Sequence, residues 1–129
     1  VCSSDLSDPA RGFPVLSLDP PFVLGKPVHL VPAHVDVEAD VSSVAAFIAD
    51  TNAVVLVGHG VTTLGRNISE AYHRLNTLTA EVRRCIQAEL LAFHRGLRPS
   101  YRESSEIESM YRYADRIIYP VTASEVMKD

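Results

Sequence analysis

The 129-residue chain has no tryptophan, only two cysteines (Cys2 and Cys85) and a net charge of just −4. Two cysteines exclude a disulfide framework and a four-thiolate zinc site, which fits a protein of a reducing compartment, with the cytoplasm the expected location. The longest apolar run is Ala53-Val54-Val55-Leu56-Val57. That is far short of the ~20 residues of a membrane span, so no membrane partner is expected. A cationic, apolar leader is also missing from the start. The weak net charge and 47% hydrophobic content argue against disorder and leave enough apolar residues for one domain's core.

Charge is unevenly spread. Residues 1–64 hold seven acids and two bases, a net of −5; residues 65–129 hold nine acids and ten bases, a net of +1. Nine arginines lie in the second half, interleaved around Arg83-Arg84 and Arg95 to Arg102 with Glu81, Glu89 and Glu103. That mixture reads as a solvated helix face, and without a net basic field no nucleic-acid partner is expected.

The chain opens on Val1 rather than methionine. Val1-Cys2-Ser3-Ser4-Asp5-Leu6 resembles a translated sequencing adapter, so residues 1–6 are expected to be an artefact and stay outside the fold reading. Residues 9–35 alternate β-formers with Pro14, Pro20, Pro21, Pro27 and Pro32. Proline removes ladder donors, so Phe13-Pro14-Val15-Leu16, Phe22-Val23-Leu24 and Val28-His29-Leu30-Val31 read as short extended pieces at a surface or edge. From Asp40, a natural cap, Val41, Val44, Ala45, Ile48 and Ala49 recur at helical spacing. Ala53 to Val57 reads as a buried strand, Gly58-His59-Gly60 as its end, and Val61 to Leu64 as a second strand.

Asn67 with Glu70 approximates a capping box for a long helix. Its expected core face runs through Ile68, Ala71, Tyr72, Leu75, Leu78, Val82, Cys85, Ile86, Leu90 and Phe93, and Gly96 and Pro99 close it. A weaker, tyrosine-rich helix is expected from about Glu103 to Ile118.

Only the stretch around Gly58-His59-Gly60 looks chemically purposeful. A histidine at the end of a stiff buried strand is well held, and neutral imidazole is the commonest metal ligand. By itself the dipeptide also fits a histidine satisfied by backbone at a tight turn.

The run Asn52 to Val61 containing His59, then Gly65, Ser69-Glu70-Ala71 and Leu78, resembles the C-terminal half of class II aldolase/adducin domains. The resemblance covers roughly residues 24–95. Thr79 departs from it, standing where the family usually has glutamate at a structural position. The resemblance implies an α/β/α layered fold around a mixed, largely antiparallel sheet, present here as a partial domain and usually assembled as a homotetramer. It further implies a divalent metal, commonly zinc, held by three histidines. The implied chemistry is that of a lyase, epimerase, dehydratase or decarboxylase acting through an enediolate on sugar phosphates or related hydroxyketo compounds.

In that pattern His59 is the last of the three metal ligands. The His-x-His pair is absent from this chain, and the family's spacing places it at or before Val1; the phosphate-binding segment and the acidic catalytic residue fall upstream too. His29 and His34, five apart, would face opposite sides of one strand and are poor replacements. His73 and His94 are expected in solvent on the long helix. Tyr111, Tyr113 and Tyr119 are candidate proton donors by resemblance, with interface packing as the plainer reading. No catalytic or substrate-binding residue is assigned. The expected organisation is residues 7–98 as the C-terminal half of the domain and 99–129 as a helical tail. The alternatives are a non-catalytic adducin-like scaffold module and a complete small binding domain.

Overall fold

The computed structural model describes residues 13–36 and 38–114. Along the chain run α1 (Asp19–Leu24), β1 (Val28–Val31), α2 (Val41–Ile48), β2 (Ala53–Leu56), β3 (Gly60–Thr63), α3 (Ile68–His94) and α4 (Ser104–Tyr113). The protein therefore mixes α and β structure, with one three-stranded sheet in the order β1-β2-β3 among the described residues.

One expectation fails at once. Phe22-Val23-Leu24 is helical rather than extended. Two of the five prolines that argued against regular structure, Pro20 and Pro21, sit in the first turn of α1, where backbone N–H groups have no intrahelical partner to lose. The helix stops at Gly25, whose N–H donates to the Pro21 carbonyl at 3.0 Å.

β1 and β2 are parallel, from Val28 opposite Ala53 to Val31 opposite Leu56. A parallel pair needs a crossover, and α2 supplies it. Asp40 caps α2 as expected, accepting from the Ser43 N–H at 3.0 Å. β2 then pairs antiparallel with β3, from Ala53 opposite Thr63 to Leu56 opposite Gly60. One parallel and one antiparallel pairing make the sheet mixed, and Val28–Val31 lies at its edge, where the proline-flanked sequence put it.

Leu24, Val28, Ala53 and Leu78 form the core cluster, with Phe13 and Val55 packed against it. Residues from α1, β1, β2 and α3 thus meet at one place. The 27-residue α3 begins where Asn67 predicted. The Asn67 side chain accepts from the Glu70 N–H at 2.9 Å, and the Glu70 carboxylate turns back to the Arg66 N–H at 2.6 Å. Asn67→Ala should therefore cost about 1 kcal/mol, read as a lower urea midpoint at unchanged slope.

The face that α3 buries is only part of the one expected: Leu78 and Cys85 are buried as expected, and Ala71, Leu75 and Val82 are half-buried. Its buried residues are Arg74, Leu78, Glu81 and Cys85, spaced four, three and four apart. Ile68, Tyr72, Leu90 and Phe93, placed in the core by periodicity, are exposed, Ile68 to 88% and Phe93 to 85%. Two polar side chains, Arg74 and Glu81, complete the packed stripe, so hydrophobic spacing finds its middle but neither its polar members nor its ends. Glu81, expected on a solvated face, is 0% exposed. Arg83, Arg95, Arg98 and Glu103 are exposed as expected. Among the described residues no helix is long and apolar enough to cross a membrane.

Candidate functional site

The β2–β3 connection carries the candidate histidine. Past the end of β2, the Val57 N–H still donates to the Val31 carbonyl of β1 at 3.0 Å, so the strand is held beyond its last paired residue. The chain then turns, closed by the His59 N–H on the Leu56 carbonyl at 2.9 Å. Gly58 takes φ +84°, a backbone conformation that any other residue would adopt under strain. His59 is exposed at this turn. An exposed imidazole on a fixed turn can offer a nitrogen to a ligand arriving from solvent.

The far end of the hairpin is fastened to α3. The Thr63 hydroxyl donates to the Ala71 carbonyl at 2.9 Å. Gly65 lies so close to α3 that a Cβ there would meet the Ala71 nitrogen at 2.5 Å, which explains the glycine. Buried Arg74 donates to the Leu64 carbonyl at 2.6 Å and to Glu70 at 3.2 Å, and reaches the Val23 carbonyl of α1 at 3.4 Å. The Arg66 N–H, ahead of the Arg66 and Arg74 guanidinium groups, holds the Glu70 carboxyl below its ordinary range against a smaller opposing effect of burial. Arg74 thus joins the hairpin, α1 and α3, and nothing in its sequence position marks it as buried.

The other histidines do not gather at His59 as a complete metal centre. His29 shares a 2.8 Å contact between Nε2 and Asp50 Oδ1, just before β2 begins. That contact is the main cause of the lowered Asp50 pKa. His34 is exposed in the turn that follows β1, and His73 and His94 are exposed on α3 as expected. Among the described residues no group of three or more histidine, cysteine, aspartate or glutamate side chains is placed to hold a metal ion. A divalent centre needs three or four protein ligands, so His59 does not make one with these residues alone.

The remaining candidates have structural environments. Burial pushes the Tyr111 hydroxyl up to about 12, and Tyr113 packs edge-on to Phe22 with ring centroids 5.8 Å apart. Tyr119 lies outside the described residues, as do Cys2 and the rest of residues 1–6. Cys85 is buried, and burial foremost, then Glu81 and Glu89, pushes its thiol up to about 12. It is no nucleophile at neutral pH. Thr79 is exposed, its hydroxyl bonded to the Leu75 carbonyl at 2.8 Å.

Sequence reading missed a dense polar cluster around Glu81. The buried Glu81 carboxylate accepts from the Leu16 N–H at 2.5 Å, the Ser17 N–H at 2.9 Å, the Ser17 hydroxyl at 2.6 Å and Arg84 at 3.2 Å. Arg102 closes over the same segment, its N–H on the Val15 carbonyl at 2.9 Å and its Nε on the Ser17 carbonyl at 3.2 Å. Glu89 accepts from the Tyr101 hydroxyl at 2.5 Å. The segment before α1 and the one before α4 are thus both tied to α3. This cluster is a fastening between α3 and the two segments.

Compared with known proteins, the chain matches no curated protein and no solved structure. A family model, that of the class II aldolase and adducin N-terminal domain, matches residues 8–84. The match takes in β1, the α2 crossover, the β2–β3 hairpin with His59, and the first part of α3. This chain belongs to the class II aldolase and adducin N-terminal domain family.

Proposed function

We propose that this chain carries part of a divalent-metal-dependent class II aldolase-like enzyme, with zinc as the metal and His59 as one of its ligands. The single observation behind the reading is the placement of His59, exposed on a turn that Gly58 and the Val57–Val31 hydrogen bond fix. Side chains that meet no protein partner yet sit on a rigid strand end are suited to a ligand. The described residues do not complete a metal centre, so the other ligands and the acid–base group belong elsewhere in the working protein.

The proposed substrates are sugar phosphates or related hydroxyketo compounds, in a lyase, epimerase, dehydratase or decarboxylase reaction. Residues 7–98 would form the domain portion and 99–129 a helical tail. The apolar side chains left exposed along α3, Ile68, Tyr72, Leu90 and Phe93 among them, support a homo-oligomer, for which a tetramer is the proposal. A cytoplasmic location goes with this reading.

The test is the zinc content of the full-length protein. His59→Ala should weaken zinc binding roughly tenfold or more, about 1.4 kcal/mol, without changing the far-UV spectrum. Stoichiometric zinc retained by that variant would overturn the reading. A second reading, a non-catalytic adducin-like scaffold, draws on the incomplete donor set among the described residues. It expects no zinc in the unaltered protein, so the same assay separates the two.

A further inference from the structure

The last turn of α3 and the loop after it present apolar side chains to solvent. Leu90, Leu91 and Phe93 are exposed on the helix, and Leu97 is exposed just past its end. Leu90 and Leu91 are consecutive, so they lie about 100° apart around the helix and the apolar area is wider than one stripe. Arg95 and Arg98 stand among these residues, both exposed, and neither guanidinium has an ion-pair or hydrogen-bond partner among the described residues. No acid lies between Leu90 and Arg102, and Glu89, just before, is engaged by the Tyr101 hydroxyl.

The same chain carries a surface of the opposite charge. Residues 27–65 contain no lysine or arginine, and their four acids, Asp36, Glu38, Asp40 and Asp50, bracket α2. All four are exposed, as are Val41 and Ala45 on the helix between them. The hydrogen bonds that Asp36 and Asp40 accept from backbone N–H groups, and the contact of Asp50 with His29, favour the charged carboxylates. The two surfaces belong to opposite sides of the sheet. Val28 and Ala53 meet α3 at Leu78, whereas His29, next along β1, meets Asp50 just past α2. Successive strand residues face opposite ways, so the sheet stands between α2 and α3 within one copy.

We infer that the exposed end of α3 docks on α2 of a second copy of this chain, with Arg95 and Arg98 against the acids that bracket that helix. The inference rests on the homo-oligomer reading above and names the two surfaces that form the contact. Burial of the leucines and Phe93 drives the association, and the charges fix which surfaces meet. A second copy is the occupant because each surface finds on the same chain the charge that it lacks. The contact is head-to-tail, so each copy uses one surface toward one neighbour and the other toward the next.

Sedimentation velocity of the full-length protein tests the contact with two variants. Arg95→Glu/Arg98→Glu alters the end of α3, and Glu38→Lys/Ala45→Lys alters the α2 surface, all at exposed positions. Each variant alone should associate roughly tenfold more weakly or worse, through like charges placed face to face, with an unchanged far-UV spectrum. Mixed in equal amounts, the two variants should form a one-to-one dimer and nothing larger, because a single unaltered contact survives between them. If the unaltered protein associates and either variant associates as strongly, or the mixture stays monomeric, these surfaces are overturned and the homo-oligomer reading stands. If the unaltered protein is a monomer, both fall. A monomer that instead sediments with phosphatidylserine vesicles assigns the end of α3 to a lipid surface, which also overturns the contact.

Discussion

Glu81→Ala should destabilise the protein by about 3–5 kcal/mol, the cost of breaking a buried charged network by removing one partner. Four donors converge on this fully buried carboxylate, and alanine strands the Leu16 and Ser17 N–H groups and the Ser17 hydroxyl. Each buried donor left without a partner costs about 1–3 kcal/mol. A domain of this size has about 5–15 kcal/mol in total, so the variant stands near the edge of folding. Ser17→Ala removes a single donor and gives the measurable lesser case, about 1 kcal/mol by urea unfolding.

The pH dependence has a definite sign. Burial alone would raise the Glu81 pKa, but the Ser17 hydroxyl, the Ser17 and Leu16 N–H groups and Arg84 together outweigh it and leave the group lowered. A carboxyl lowered in the folded state contributes stability fully above its unfolded value of about 4.3, and loses it as pH falls through the folded value. Unfolding curves recorded from pH 7 down through that range should therefore fall more steeply for the unaltered protein than for a folded Glu81 variant. Parallel curves would show that the carboxylate is not held as described.

Leu78→Ala should cost about 2–5 kcal/mol, the transfer of a buried leucine plus the cavity it leaves. Leu78 is 1% exposed and sits in the cluster with Leu24, Val28 and Ala53, so one truncation loosens α3 from α1 and from two strands. Phe93→Ala is the matched control. Phe93 was expected in the core, yet it is 85% exposed, and its truncation should change the stability of a single copy by no more than about 0.5 kcal/mol. Urea midpoints of the two variants decide which face of α3 is the core; equal losses would contradict the packing described above.

Local signals read well where one residue type has one physical use. Asp40 and Asn67 mark their helix starts because a short acceptor side chain satisfies an orphan N–H. The β-branched run from Ala53 is the central strand, and Gly65 marks the close approach of the hairpin to α3. Pro20 and Pro21 misled, because proline excludes a strand centre and equally suits a first helical turn, and composition does not choose between them.

Arg74 and Glu81 were illegible for a different reason. A charged residue reads as solvated until its partners are known, and those of Glu81 lie 64 and 65 residues away. Long-range hydrogen bonds have no periodicity. They complete the inward stripe of α3 beside Leu78 and Cys85, and the spacing of leucines and isoleucines does not reveal them. The site was legible only as far as His59 itself. Its glycine-bounded turn showed in sequence, and the structure fixes that turn with the Val57–Val31 hydrogen bond.

Zinc-edge X-ray absorption of the full-length protein, with and without His59, tests the proposed metal role most directly. Histidine ligation gives a nitrogen shell at about 2.0–2.1 Å with the outer scattering of an imidazole ring. The ring contribution should be present in the unaltered protein and fall in His59→Ala. An unchanged spectrum in the variant, or a shell of oxygen alone in the unaltered protein, would contradict His59 as a metal ligand.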